Sequence, residues 1–222
     1  MSIIKLVNIR KTFGKKFDKK EVLKNINLQV ERGELIAITG PSGSGKTTLL
    51  NILGLLDKPS EGEYFLNGLK VSDMKDLELS SYRSKIGFAT QNPFMLDYCS
   101  VYDNIKIPLE YSNIPKSDKK KRIKEILNIL EIIDEFYKYP KELSQGKRQC
   151  VAIGRALINN PDILLLDEPT SSIELSKFKK LMDLFVDLCR NGQTIIIATH
   201  DEEIVKRCDR VVKIWFYILY LV

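Results

Sequence analysis

The sequence predicts an α/β fold with a mainly parallel sheet, an antiparallel β subdomain and a helical insertion. Apolar runs with β-branched residues alternate with longer helical stretches, which is typical of α/β proteins. Three of these runs, "LIAIT" (35–39), "ILLLD" (163–167) and "TIIIAT" (194–199), each end at a glycine turn or at polar residues. Because ligands of open α/β sheets bind at the carboxyl ends of strands, these endings point to one shared site.

Strands of a second kind are expected near the N-terminus. The segments "IIKLVNI" (3–9) and "VLKNINLQV" (22–30) suggest antiparallel strands, and "GEYFLNG" (62–68) suggests a third. These three segments form the predicted antiparallel subdomain.

The sequence becomes helical between roughly residues 92 and 160. Four apolar residues of "RIKEILNILEIID" (122–134) follow the i, i+3, i+4, i+7 spacing of one helix face: Ile123, Ile126, Leu127 and Leu130. This spacing predicts an amphipathic helix that faces the core. No internal repeat or low-complexity linker is present, so we predict one domain over residues 1–222 with a helical subdomain at roughly 92–160.

The composition is that of an ordinary globular chain, with 222 residues, 44% of them hydrophobic and 29% charged. The formal charge is +6, and the densest basic cluster is "KSDKKKR" (116–122). No aromatic residues are interleaved with this cluster, so we interpret it as a solvated helix start and expect no nucleic-acid partner. The four cysteines lack C-x-x-C spacing, which favours reduced thiols over a zinc site or a disulfide framework.

Neither end of the chain has the pattern of a membrane segment. The N-terminal "MSIIKLVNIRK" does not resemble a signal peptide. The apolar tail "KIWFYILYLV" (213–222) has about half of the roughly 20 residues that a spanning helix needs. A buried last strand, an interfacial anchor and a C-terminus altered by sequence change are the three interpretations of this tail, and we favour the strand.

A phosphate-binding loop follows the first parallel strand. The segment "GPSGSGKTT" (40–48) matches G-x-x-x-x-G-K-T in the required context of strand, loop and helix. Its glycines let successive backbone N–H groups point at phosphate oxygens, and the helix N-terminus adds to that anion site. The Lys46 ammonium suits the β- and γ-phosphates, and the Thr47 hydroxyl suits Mg²⁺. The residues expected to contact the nucleotide here are Gly40, Pro41, Ser42, Gly43, Ser44, Gly45, Lys46, Thr47 and Thr48.

Side chains at the ends of the other strands complete the predicted site. Asp167 ends a buried apolar strand and is placed to hold Mg²⁺, directly or through water. Glu168 follows it, and a carboxylate beside the γ-phosphate is what polarises an attacking water. The only histidine, His200, is expected to contact the γ-phosphate, and Gln91, after "IGFAT", to touch both Mg²⁺ and the attacking water.

Five motifs in order give the chain a resemblance to the ATP-binding subunits of ABC transporters. They are "KTFG", "ATQN", "LSQGKRQ", "LLLDEPTSS" and "ATHD", and the resemblance covers essentially the whole chain. It implies a P-loop ATPase that uses ATP and Mg²⁺ and hydrolyses ATP to drive transport. It also implies that Phe13 stacks on adenine, with ordinary surface packing as the competing interpretation. Two copies would pack head to tail, so that Ser144 and Gly146 of one copy complete the ATP site of the other.

A narrower resemblance concerns "NILGLLDKPSEGE" (51–63) and the residues inserted between Phe13 and "VLKNINL". Both are similar to the lipoprotein-releasing, macrolide and antimicrobial-peptide export branch. This likeness implies an exporter with a transmembrane permease subunit. The present chain would then be attached peripherally to the cytoplasmic face of the cell membrane. The permease would contact a groove after Gln91, where three apolar side chains are either partner contacts or core residues: Phe94, Met95 and Tyr98.

Some positions depart from the family pattern. Gln145 and Lys147 alter the "LSGGQ" signature, Cys150 replaces a usual arginine, and Glu174 replaces the D-loop aspartate. The segment after "DRVVKI" lacks the usual "dG" turn and strand. None of these changes touches the predicted phosphate and metal residues, so we expect Mg-ATP binding with slower or partner-dependent turnover.

Three other classes of ATPase are alternatives to a transport subunit. An ATPase that regulates a membrane partner without transport, as in cell division, remains an alternative on sequence grounds. A soluble DNA-repair ATPase is less favoured, since that class has long coiled coils or zinc-binding cysteines. Translation-associated relatives carry two ATPase domains, whereas this chain has one phosphate loop.

Overall fold

The computed structural model describes residues 2–14, 18–112, 114–171, 173–215 and 217–221. Its strands are β1 (Ser2–Phe13), β2 (Lys20–Glu31), β3 (Leu35–Thr39), β4 (Glu61–Leu66), β5 (Leu69–Lys70), β6 (Ile86–Ala89), β7 (Ile163–Asp167), β8 (Thr194–Ala198), β9 (Arg210–Trp215) and β10 (Ile218–Leu221). Its α-helices are α1 (Lys46–Leu53), α2 (Asp76–Arg83), α3 (Val101–Lys106), α4 (Lys116–Ile129), α5 (Gln145–Leu157), α6 (Leu175–Arg190) and α7 (Glu202–Val205). Three short 3₁₀ helices lie at Ile107–Tyr111, Ile133–Glu135 and Pro140–Glu142.

The larger sheet is the predicted parallel one, with strand order β10-β9-β3-β8-β7-β6. The pairs from β9 to β6 are parallel, and only β10 runs antiparallel. Strands β3 and β7 match the predicted segments residue for residue, and β8 ends one residue earlier than predicted, at Ala198. These central strands are fully buried along their apolar stretches because helices cover both faces of such a sheet. Their carboxyl ends therefore meet at one edge, as expected.

The smaller sheet is antiparallel, with strand order β2-β1-β4-β5. Strands β1 and β2 are 12 residues each, longer than the segments predicted for them. Shifts in the β1–β2 register at several points accommodate this length. The predicted antiparallel subdomain is thus confirmed.

Helices α3 to α5 lie in the chain between β6 and β7, where the helical insertion is predicted. Helix α4 begins within the basic cluster, but it ends at Ile129, before the predicted apolar pattern does. Glu131 has a positive φ of 55°, which ends the helix, while Leu130 remains buried. Most lysines of the cluster are exposed; Lys119 is the exception, buried with its ammonium 3.4 Å from Glu110. The extent of the helical subdomain, roughly 92–160, stays a prediction.

The apolar tail folds back as a β-hairpin of β9 and β10. Tyr217 lies in the turn with a positive φ of 66°, a conformation that glycine adopts more easily, and its carbonyl accepts a hydrogen bond from the Lys24 N–H at 2.8 Å. The favoured last strand is therefore present, and the expected loss of a strand after "DRVVKI" is wrong. Its burial is incomplete, because β10 is an edge strand and Tyr220 is 49% exposed. Within the described parts of the chain, no helix combines the length and the apolar character required to cross a membrane.

Candidate functional site

The phosphate-binding loop connects β3 to α1 and depends on two glycines with positive φ. Gly45, the N-cap of α1, has φ 103°, and a Cβ there would lie 2.7 Å from the Val22 carbonyl oxygen. Gly40 has φ 147°, and its Cβ would lie 2.3 Å from the carbonyl oxygen of Ile214. Both positions combine a left-handed backbone with a close approach to neighbouring main chain, so a side chain is excluded for two reasons.

A cavity of about 550 Å³ opens in front of this loop. It brings together residues from five parts of the sequence, although they are up to 180 positions apart in the chain. The cavity is lined by Lys20, Val22, Gly40, Pro41, Ser42, Gly43, Gly45, Lys46, Thr47, Thr48, Gln91, Asp167, Glu168 and His200. All the residues predicted at the strand ends are among them.

The polar groups of the loop are arranged for an anion. The Lys46 ammonium donates to the carbonyl oxygens of Gly40 at 2.7 Å and Pro41 at 3.2 Å, so it is held over the loop. The Ser44 hydroxyl is buried and has no hydrogen-bond partner among the described residues. A buried hydroxyl without a partner is unfavourable unless a ligand satisfies it. The loop therefore offers one cation and one unsatisfied hydroxyl at the start of a helix.

A pair of oxygen donors lies beside the loop. The Thr47 hydroxyl donates to Asp167 Oδ2 at 2.7 Å, which joins α1 to the end of β7. Burial raises the pKa of the Asp167 carboxyl above its usual range, with the hydrogen bond from Thr47 opposing that effect. No cluster of three or more His, Cys, Asp or Glu side chains suited to a metal occurs in the described ranges, so a metal here would depend on ligand oxygens as well.

Glu168 is held in an unusual backbone conformation next to Asp167. Its φ is +47°, and its N–H donates to the Ala198 carbonyl oxygen at 2.9 Å. A left-handed conformation at a non-glycine residue is sparsely populated and occurs often at functional sites. The surrounding sheet fixes the position of this carboxylate.

Both Glu168 carboxylate oxygens have partners from the end of β8. His200 Nδ1 lies 2.7 Å from Oε1, and the Thr199 hydroxyl donates to Oε2 at 3.2 Å. The Glu168 carboxylate is nearly buried, whereas the His200 side chain is 75% exposed. His200 therefore bridges the carboxylate and open solvent at the mouth of the cavity.

Four predicted nucleotide contacts are not among the residues that line this cavity: the buried Ser44, and Phe13, Ser144 and Gly146. Phe13 is 45% exposed at the end of β1. The Lys11 ammonium lies over its ring, 4.9 Å from the ring centroid. Ser144 is the N-cap of α5 and accepts a hydrogen bond from the Lys147 N–H at 3.4 Å. Gly146 lies in the first turn of the same helix. The structure therefore presents Ser144 and Gly146 on a separate surface of the protein.

A small crevice of about 50 Å³ borders that second surface. It joins the first turns of α5 to the segment before α6, and it contains three of the four altered positions. Its lining is Ser144, Gly146, Lys147, Cys150, Ile173, Glu174 and Lys177. The departures from the family pattern are thus concentrated beside the signature and leave the main cavity unchanged.

Several site residues were not identified from the sequence. Lys20 and Val22 line the cavity from β2. Neither belongs to a nucleotide-binding motif, so nothing in the sequence indicated that they contribute to the site. Thr199 directly precedes His200 in "ATHD", so the motif contained it. Gln149 was also passed over: it is buried, and its amide donates to the Thr90 carbonyl oxygen at 3.3 Å, next to Gln91.

Comparisons with known proteins agree with this geometry. The family model described as "ABC transporter" matches residues 23–171. A model described as "AAA domain, putative AbiEii toxin, Type IV TA system" matches residues 139–206. The lipoprotein-releasing system ATP-binding protein LolD of Bacteroides thetaiotaomicron is 43% identical over 95% of this chain and 95% of its own length.

Two further similarities extend the comparison. The macrolide export ATP-binding/permease protein MacB of Campylobacter fetus subsp. fetus is 43% identical over 96% of this chain. MacB is the longer protein, and the match covers 33% of its length. The dimeric structure of the ATP-binding cassette MJ0796 bound to ADP and Pi superposes with a TM-score of 0.93 at 35% identity, covering 98% of each chain. The sheet order, the cavity and these similarities lead to one conclusion: the chain belongs to the ABC transporter family, as an ATP-binding cassette of the type that hydrolyses ATP to power transport.

Proposed function

We propose that this protein is the ATP-hydrolysing subunit of an export or release system, and that two copies form a head-to-tail dimer beneath a transmembrane permease. The observation that carries the proposal is the single cavity that contains the phosphate loop, Asp167, Glu168 and His200. Relatives named for lipoprotein release and macrolide export support a transport function over an ATPase that regulates a membrane partner without transport.

ATP binding is assigned to the loop between β3 and α1. The N–H groups at the start of α1 and the Lys46 ammonium would meet the phosphates, and the Ser44 hydroxyl would gain a partner. The Lys46 ammonium now donates to carbonyl oxygens of its own loop, so it would exchange these contacts for phosphate oxygens. Phe13 and Val22 lie on the β1–β2 side, where the base would be placed.

Lys46→Ala is expected to weaken ATP binding by about tenfold to a hundredfold, because one charge-assisted hydrogen bond is lost. The fold should survive, since the ammonium contacts only carbonyl oxygens of its own loop. Calorimetric titration with ATP measures the effect, and circular dichroism checks the fold. Lys58→Ala, which removes an exposed lysine outside the cavity, is the control. Unchanged ATP affinity in Lys46→Ala would rule out the phosphate-loop assignment.

Thr47, Asp167 and Gln91 are proposed to hold Mg²⁺ together with phosphate oxygens. The donor set fits, because Mg²⁺ prefers hard oxygen ligands and the Thr47 hydroxyl already lies 2.7 Å from Asp167 Oδ2. When bound, Mg²⁺ neutralises charge on the β- and γ-phosphates. Asp167 and Thr47 would position that charge at the end of β7.

The raised pKa of Asp167 predicts a pH dependence of metal use. The carboxylate form binds Mg²⁺, so Mg²⁺ binding at Asp167 is retained above the Asp167 pKa and lost as pH falls through it. Because burial raises this pKa, the loss should occur at higher pH than for an ordinary aspartate of about 3.9. The Mg²⁺ concentration that gives half-maximal ATPase activity, measured at several pH values, reports the effect. Asp167→Asn should remove this dependence, and an unchanged pH profile in that variant would contradict the assignment.

Hydrolysis is assigned to Glu168 with help from His200. The Glu168 carboxylate would polarise the attacking water, and its fixed backbone keeps the acceptor oxygen in place. His200 contacts Glu168 Oε1 and is exposed at the cavity mouth, so it would reach the γ-phosphate. Thr199 fixes the second oxygen and acts as a positioning residue.

The permease is proposed to contact the surface after Gln91. Phe94 and Tyr98 are 76% and 79% exposed, in contrast to Met95, which is buried in the core. Two aromatic side chains left in solvent are suited to a partner surface, whereas Met95 is explained by packing. The Phe94 carbonyl accepts a hydrogen bond from Arg155 Nη2 at 2.7 Å, which fixes the main chain there. We propose that this contact attaches the subunit peripherally to the cytoplasmic face of the membrane.

A further inference from the structure

We infer that Glu135 is a positioning residue for the signature turn, residues 144–147: its ion pair with Lys147 holds that turn in the orientation that meets the nucleotide of the partner copy. The inference rests on the proposed function, because only a head-to-tail dimer brings a nucleotide to this surface. It gives the altered signature residue Lys147 a defined role within its own chain.

The ion pair is short and lies at a buried carboxylate. Glu135 Oε1 lies 2.6 Å from Lys147 Nζ, and Oε2 lies 2.8 Å from Lys138 Nζ. The Glu135 side chain is only 6% exposed, whereas that of Lys147 is 40% exposed. Hydrogen bonds from Lys138 and then Lys147 hold the pKa of Glu135 below its usual range, so it is ionised near neutral pH. A buried carboxylate of this kind depends on its cations.

Glu135 belongs to a firmly packed part of the protein. It is the last residue of the 3₁₀ helix Ile133–Glu135. The two residues that flank this helix, Ile132 and Phe136, are both buried in the core. The Phe136 ring stacks on Tyr102 with a centroid distance of 5.0 Å. The anion that holds Lys147 is therefore fixed by the core, so the ion pair anchors the first turn of α5.

Charge explains why this helix needs such an anchor. The first turn of α5 contains no acidic residue, and a cation at its third position is unfavourable at the positive end of the helix dipole. The Ser144 cap is weak as well, with its hydroxyl 3.4 Å from the Lys147 N–H. Glu135 supplies from a distant turn the negative charge that the first turn lacks. Its loss should therefore loosen Ser144 and Gly146 together.

The test measures ATP-driven dimerisation in the Glu168→Gln background, where turnover does not disturb the equilibrium. Glu135→Gln and Lys147→Gln should each weaken the dimer by about tenfold, while ATP affinity of the monomer stays unchanged because its own phosphate loop is intact. The double variant should be no weaker than either single variant, since both remove one interaction. Lys147→Arg, which keeps the charge, should restore the dimer.

Lys138→Gln is the matched control, because it removes the other cation of the same carboxylate without touching α5. It should leave dimerisation near the parent value. An equal loss in Lys138→Gln, or additive losses in the double variant, would overturn the positioning role. A stronger dimer in Glu135→Gln would also overturn it, since that result would mean that Lys147 itself binds the nucleotide. If the parent Glu168→Gln protein does not dimerise with ATP, the proposed function fails before this question arises.

Discussion

Replacing Glu168 with glutamine is expected to preserve ATP binding and to lower steady-state turnover by roughly 10²–10⁴-fold, the usual contribution of a general base. The amide keeps the shape of the side chain but loses the charged acceptor that polarises water. It also keeps one carbonyl oxygen, which can retain one of the two contacts that Thr199 and His200 make with separate carboxylate oxygens, while the amide NH₂ replaces the other acceptor. Phosphate release, measured with ATP in excess, reports the change.

An exposed carboxylate provides the control for that experiment. Glu203 lies on α7, is 63% exposed and pairs with Lys206; it is close to His200 in sequence but outside the cavity. Glu203→Gln should therefore leave turnover within the error of the assay. Unchanged phosphate release in Glu168→Gln would remove Glu168 from the catalytic role, whatever its distance from His200.

Replacing Ser144 with arginine is expected to lower turnover by at least about 10²-fold, the loss typical of a missing transition-state donor. Ser144 caps α5 and is exposed, so the variant should still fold. The bulky cation at this position should, however, prevent the close approach of a second copy. ATP binding to the monomer should be unchanged, because Ser144 lies outside the main cavity. Phosphate release and calorimetric ATP titration separate the two effects.

The neighbouring altered residue is the control. Gln145 is exposed at the first position of α5, and Gln145→Gly should keep or raise turnover because it removes bulk at the cost of some flexibility. Full activity in Ser144→Arg would mean that "LSQGKRQ" no longer serves a partner site and is a degraded signature.

Sequence reasoning was most successful where the chemistry is local. The segments 35–39 and 163–167 form strands at the predicted bounds, because an apolar run ended by a turn determines a buried parallel strand. The phosphate loop was also predictable, since its function depends on backbone conformation at glycine and on one lysine. The meeting of Asp167, Glu168 and His200 was predictable because each follows or ends a parallel strand, and the carboxyl ends of such strands share one edge of the sheet.

What could not be predicted depends on contacts between distant segments. The ion pair of Glu135 with Lys147 joins two turns that no motif relates. The end of α4 at Ile129 depends on the left-handed conformation of Glu131, which an apolar periodicity does not reveal. The C-terminal hairpin turns at Tyr217 without the usual glycine, since pairing of β10 with β9 compensates for the strained residue.

The most direct test of the account is the oligomeric state of Glu168→Gln with and without ATP, measured by light scattering after size exclusion. The account predicts a monomer without nucleotide, a dimer with ATP, and a monomer that still binds ATP when Ser144→Arg is added. A Glu168→Gln protein that binds ATP and remains monomeric, or a dimer that persists with Ser144→Arg, would contradict the claim that each signature completes the ATP site of the other copy.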